Sequence, residues 1–292
     1  MKLVEEYKKS LKHIEAEEPL DLFFYRIISF LFVKAILPFP VTPNQLSFAA
    51  LIAGIISAIF YSFGTEKAFL LAAIFYAIYY LFDLSDGQVA RLKKNGTRAG
   101  RIIDGIADYV THFAIYIGLG IGLGNQPNTW LIVIAALISL MAQVILFDFY
   151  RNRYLEYTLG RVSLFGEDLK QFQKEYKELM NKPDRTLEKL IFFLYLKYLN
   201  TQQFLISKAT KSKKIKTFDR TDFLKKNKLI IRLWSFMGSS LHITLLIIMS
   251  VIYRIDLYFY SILVIINIYA IIMVILQTTI DSRTRLANKD SV

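Results

Sequence analysis

Residues Asp83–His112 read DLSDGQVARLKKNGTRAGRIIDGIADYVTH, a charged stretch between two segments apolar enough to dissolve in lipid. It holds four aspartates, Asp83, Asp86, Asp104 and Asp108, at the inner ends of what the flanking pattern predicts as membrane helices. Carboxylates are expensive there, and a group of them points to function. On helices, the three-residue and four-residue spacings put each pair on one face, about 60° and about 40° apart. The link LKKNGTRA is short, so the two helices run antiparallel. Reflection about Asn95–Gly96 sets Asp83 at the depth of Asp108, and Asp86 at the depth of Asp104. The aspartates therefore converge between two helices, just inside the cytosolic edge of the hydrocarbon.

Such a group of unpaired negative charges does not stay fully ionised. Protons, arginines or divalent cations must offset it. Arg91, Arg98 and Arg101 lie nearer the turn, closer to water. All-oxygen ligation selects hard cations, so Mg²⁺ or Mn²⁺ fits, and about two ions would balance the carboxylates. Gly87, Ala90, Gly100, Gly105 and Ala107 let the helices approach and leave bare backbone for a ligand.

Outward from this stretch, the chain of 292 residues is 54% hydrophobic and 15% aromatic, with positive mean hydropathy and no cysteine. Apolar runs of about 20 residues, the length of one bilayer crossing, recur at roughly 46–64, 68–85, 101–123, 129–149, 233–253 and 257–277. The expected fold is therefore all-α: a polytopic membrane protein with six transmembrane helices. A further stretch at 22–39 carries Arg26 and Lys34 about 80° apart on a helical wheel, with Phe, Leu and Ile opposite. It reads as an N-terminal interfacial amphipathic helix. The stretch 187–206, interrupted by Lys197 and polar residues, reads as interfacial or packed on the cytosolic face.

The net charge of +12 would suit nucleic acid, but its distribution excludes that class. With the N-terminus inside, the outer loops 64–67, 124–128 and 254–256 hold only Lys67 and Arg254 of the 36 Lys and Arg residues. That is the positive-inside pattern, giving N-in and C-in in a cell (plasma or inner) membrane, with the site facing the cytosol. Disulfides and thiolate metal sites are excluded, and residues 1–20 read as a charged helix rather than a removed signal peptide. The expected organisation is a leader and interfacial helix (1–40), spans one to four (41–150), a basic and amphipathic cytosolic insertion (151–232), spans five and six (233–280) and a tail (281–292).

The pattern Asp83-x2-Asp86-Gly87-x2-Ala90-Arg91-x8-Gly100-x3-Asp104-x3-Asp108 resembles the signature of the CDP-alcohol phosphotransferase family, with every fixed position filled. Upstream, Thr42-Pro43-Asn44-Gln45-Leu46-Ser47 resembles the Pro-Asn-x-x-Thr segment that opens the family's first span, with Ser47 keeping a hydroxyl where Thr is common. The resemblance implies Mg²⁺-dependent transfer of a substituted phosphoryl group from a CDP-linked donor, such as CDP-diacylglycerol, to an alcohol, with release of CMP. It implies that Asp83, Asp86 and Asp104 ligate metal, and that Asp108 is both ligand and base for the acceptor hydroxyl. Asn44, Gly87, Ala90, Arg91 and Gly100 would serve the CDP moiety, and the protein would be a homodimer.

For the acceptor, two stripes are candidates. Arg151 and Arg153 close span four in FDFYRNRYLEY and suit a phosphorylated alcohol. Arg232, Ser235, Ser239 and His242 recur at three- and four-residue steps, so they share one face of the fifth span. Neither distinguishes inositol phosphate from glycerol phosphate or serine. The competing class is a divalent-cation-coupled transporter or channel using the same aspartates. It predicts ionisable residues at several depths, whereas the acidic cluster sits at one edge.

Overall fold

In this computed structural model the chain is described over residues 2–11, 17–159, 173–174, 176–181, 189, 192–193, 196 and 218–286. Among them no strand forms, and six helices are long and apolar enough to cross a membrane: Pro43–Ser62, Glu66–Lys93, Ile102–Gly122, Pro127–Leu159, Arg220–Val251 and Ile255–Arg283. The chain is a multi-pass membrane protein. Most of 187–206 and the basic run at 208–217 lie outside the described residues.

Two compact units divide the chain, Met1–Arg151 with Ile230–Gln277, and Asn152–Leu229 with Thr278–Val292. In the first, α1 (Lys2–Ser10) is followed by a π-helical turn (Asp21–Tyr25) leading into α2 (Arg26–Ile36). The apolar side of this helix is exposed at Phe23, Phe24, Ile27, Ile28 and Leu31, as an interfacial helix requires. Its opposite face is pinned to the long helix Glu66–Lys93. Ser29 bonds Ser85 and the Gln88 side chain, each at 3.0 Å, and Gln88 returns a bond to the Arg26 carbonyl at 3.0 Å.

The sequence TPNQ starts α3 (Pro43–Ser62) with a capping box. The Thr42 hydroxyl accepts from the Gln45 N–H at 3.4 Å, and the Gln45 side chain accepts from the Thr42 N–H at 2.9 Å, with Pro43 in the first turn where no N–H is needed. Thr65 caps α4 (Glu66–Lys93) and Thr97 caps α5 (Arg98–Gly122). Between them the chain reverses through Lys94 at φ 53°. Helix α3 packs along both α4 and α5, while α1 and α2 pack on α4. The aspartate-bearing helices are thus held from two sides.

Helix α6 (Pro127–Leu159) is followed, after residues not described, by α7 (Arg220–Trp234), a 3₁₀ turn (Ser235–Met237) and α8 (Ser239–Val251). The fifth span is therefore not one continuous helix. At Gly238 the backbone is extended, with ψ 171°, so Arg232 and Ser235 do not share a helical face with Ser239 and His242. The continuous stripe expected from their spacing is corrected on this point. The interruption has a tertiary cause, because the Glu18 carboxyl group occupies the place a Gly238 side chain would take. One of its oxygens accepts from the Ser240 N–H at 2.8 Å, supplying the cap that glycine lacks.

The sixth span comprises α9 (Ile255–Tyr260), a π-helical turn (Ser261–Ile265) and α10 (Ile266–Arg283). Gln143 of α6 donates to the Ile262 carbonyl at 3.0 Å and to Asn267 at 2.8 Å, tying α6 to this span where the turn widens.

In the second unit, Arg220 bonds the last carbonyls of α6, Tyr157 and Thr158, both at 2.8 Å. Lys226 reaches the Arg283 carbonyl at the end of α10 at 2.6 Å. Both place a cation at a helix C-terminus, where the unpaired carbonyls favour it.

Candidate active site

Asp83 and Asp86 stand on α4, Asp104 and Asp108 on α5. The structure pairs them as the turn reflection predicts, with the Asp83 carboxyl group in hydrogen-bonding contact with Asp108 and Asp86 with Asp104. One carboxylate oxygen from each of Asp83, Asp104 and Asp108 lies within 4.8 Å of the other two. These residues are half-buried, whereas Asp86 is buried. A β-carbon built at Gly105 meets nothing within 4 Å, so α5 is open beside the aspartates.

Two hydroxyls hold the carboxylates. Ser47 of α3 donates to Asp86, so the hydroxyl kept at that position has a partner. Tyr79 donates to Asp108 Oδ1 at 2.8 Å. Its ring stacks on Tyr76, centroids 5.5 Å apart, and meets the edge of His112, which bonds the Asp108 carbonyl through Nδ1 at 2.8 Å. Tyr79 was not singled out from the sequence, although it precedes Asp83 by four residues and so shares its helical face.

The bare backbone of the signature meets other signature residues. A β-carbon at Gly100 would lie 2.7 Å from Asn44 Oδ1 and 3.1 Å from Thr97 Oγ1, and one at Gly87 would lie 3.2 Å from both terminal nitrogens of Arg91. Asn44 and Arg91 therefore stand over the two glycines, and Ala90 packs toward Gly96 at the turn.

A second polar group, unseen in the sequence, borders α4. Arg26 lies opposite the apolar side of α2, as its place on the helical wheel predicts. Its partners, however, are Glu17 at 2.8 Å and Asp21 at 3.9 Å, and its side chain is only 13% exposed. Asp21 also accepts from Tyr80 at 2.5 Å. Burial pushes the Glu18 carboxyl group up to about 7, helped by the Asp21 charge and opposed by its bonds to Ser240. Burial likewise raises Asp21 to about 6, against the lowering effect of Arg26 and Tyr80. No local spacing reveals this cluster, because its partners come from α4 and α8.

The acceptor candidates are dispersed. Arg151 pairs with Asp148 at 3.2 Å and lies over the Phe147 ring. Arg153, in the second unit, pairs with Asp281 at 2.8 Å and lies over Phe218 and Phe223. Arg232 and Ser239 are half-buried. His242 on α8 is buried, 2% exposed, beside the Met237 backbone and close enough to His112 for their charges to interact.

A family model described as CDP-alcohol phosphatidyltransferase matches residues 40–206, more than half of the chain, and that range contains Asp83, Asp86, Asp104 and Asp108. The chain belongs to the CDP-alcohol phosphatidyltransferase family. This is a family of transferases, generally dependent on divalent metal, that use a CDP-linked donor and an alcohol acceptor in a membrane. No curated protein matches the chain significantly.

Proposed function

We propose that the protein transfers a substituted phosphoryl group, phosphatidyl in the first instance, from a CDP-linked lipid such as CDP-diacylglycerol to an alcohol, releasing CMP. The observation that carries this reading is the meeting of Asp83, Asp104 and Asp108 within 4.8 Å, inside the complete family signature. An all-carboxylate set fits a hard cation, so Asp83, Asp86, Asp104 and Asp108 would hold Mg²⁺ or Mn²⁺, two ions by charge balance. Bound there, the metal would neutralise charge on the donor diphosphate.

The chain's own residues do the rest. Asn44 and Arg91, over Gly100 and Gly87, orient the CDP moiety, and Ala90 leaves room beside it. Asp108, its Oδ1 fixed by Tyr79, takes the proton of the acceptor hydroxyl as that oxygen bonds to phosphorus and the bond to CMP breaks. The opening beside Gly105 leaves space for the reacting groups.

For the acceptor, His242 is the strongest candidate, a buried imidazole on α8 that can offer a ring nitrogen to a polar ligand. Ser239 at the start of α8 joins it, and Arg151 and Arg232 are the cations for a phosphorylated acceptor. Arg153 is the weakest candidate, given its Asp281 pair.

The deciding experiment is CMP release by purified protein with Mg²⁺ and CDP-diacylglycerol, in the presence of glycerol 3-phosphate, inositol 1-phosphate, serine or no acceptor. Acceptor-dependent release that is lost on chelation and in Asp108→Asn supports the reading. Failure to bind any CDP compound sinks it.

A further inference from the structure

Arg91 differs from the other signature residues in what holds it. Its Nε–H donates to the backbone carbonyl of Ser10, the last residue of α1, while its terminal nitrogens stand over Gly87. A guanidinium carries its donors in a rigid fork, so fixing Nε fixes the direction of the other two nitrogens. Ser10 is fully buried, and its own hydroxyl is turned back to the Tyr7 carbonyl at 2.6 Å.

Helix α1 is itself docked by specific contacts. Glu6 pairs with Lys34 of α2 at 2.7 Å. The Tyr7 hydroxyl donates to the Leu22 carbonyl at 2.7 Å, and the Tyr7 ring meets Phe30 edge-on at 5.4 Å. These contacts lie before residue 40, where the family match begins.

We infer that α1 is part of the donor site: docked through Glu6 and Tyr7, it holds Arg91 by the Ser10 carbonyl so that the terminal nitrogens present a fork for the donor's phosphates over Gly87. Ser10 is thus a positioning residue, acting through Arg91. The inference rests on Arg91 as a donor ligand. A Glu6–Lys34 pair that mattered only for folding would change stability, not donor recognition.

The test is a charge-reversal cycle in the full-length protein, with donor KM and kcat read separately. Glu6→Lys and Lys34→Glu each place like charges together and loosen α1. Each is expected to raise the donor KM about threefold to tenfold with kcat within about twofold. The double variant, with the pair restored in reverse, returns KM toward the parent value. Glu6→Lys combined with Tyr7→Ala removes two docking contacts at once and ensures that α1 is released. An unchanged KM in that variant, or a KM rise that the double reversal does not rescue, overturns the inference. Arg91→Lys separates the two levels. If it raises KM while the α1 variants are silent, only the role of α1 falls. If it leaves KM unchanged, the donor reading of Arg91 falls, and the inference with it.

Discussion

At the scale of single residues, the two contacts that most constrain the site are the Tyr79 hydroxyl on Asp108 and the side chain of Asn44 over Gly100. Tyr79→Phe removes one donor from a carboxylate and changes little else, since the ring keeps its stacking on Tyr76. We expect kcat to fall about tenfold and the Mg²⁺ needed for half-maximal rate to rise, the pattern for loss of a ligand's supporting hydrogen bond. An unchanged Mg²⁺ response would show that Tyr79 serves only packing. Gly100→Ala acts differently. The new methyl would lie 2.7 Å from Asn44 Oδ1 and 3.1 Å from Thr97 Oγ1, and the latter is committed to capping α5 through the Gly100 N–H at 3.0 Å. Asn44 must move, so CDP affinity should drop about tenfold by calorimetry, roughly the worth of a good hydrogen bond. The aspartates and glycines were legible in the sequence because their signature is local: helical spacing sets each pair on one face, and the short turn at Asn95–Gly96 brings the two helices together. Tyr79 was legible in principle by the same spacing. Arg26 was only half legible, for a helical wheel gives its side but not the buried acids that meet it.

At the scale of elements, the break in the fifth span shows what a sequence pattern omits. RLWSFMGSSLHITL reads as a continuous helix with a polar stripe, and nothing within it demands an interruption. The cause lies some 220 positions earlier, in a buried glutamate that caps α8 in the space left by Gly238. This arrangement has a pH signature. In the unfolded chain Glu18 titrates near its ordinary 4.5, and in the folded protein near 7. Between those values the native state keeps a proton that the unfolded chain has released, so stability contributed by protonated Glu18 is full below 4.5 and lost as pH rises toward 7. Glu18→Gln keeps an oxygen for the Ser240 N–H and cannot titrate. Its thermal stability in detergent should therefore change less across that window, with the parent losing roughly 3 kcal/mol relative to the variant. Parallel curves for the two proteins would mean that Glu18 is ionised throughout and solvated by its neighbours.

At the scale of the whole molecule, the six spans were legible because a bilayer imposes a minimum apolar length that no soluble core requires, and each expected run overlaps one of the six spans, the fifth of them broken at Gly238. Orientation rests on a weaker physical signal, the bias of Lys and Arg toward one side. The absence of cysteine from the chain makes that bias directly testable, because a single introduced thiol is the only one to be labelled. Lys67 lies in the first turn of α4 and Asn95 in the turn after it, both exposed. The two turns stand at opposite ends of one long helix, so they must face opposite compartments if α4 crosses the bilayer. With the N-terminus inside, Lys67→Cys reacts with a membrane-impermeant maleimide added to intact cells, and Asn95→Cys reacts only after the membrane is opened. The reverse result would put Asp83–Asp108 on the outer side, away from nucleotide pools, and would remove the compartmental basis for a CDP-linked donor. Reaction of both positions from one side would mean that α4 does not span at all, and the apolar faces of α3, α4 and α5 would then need another cover.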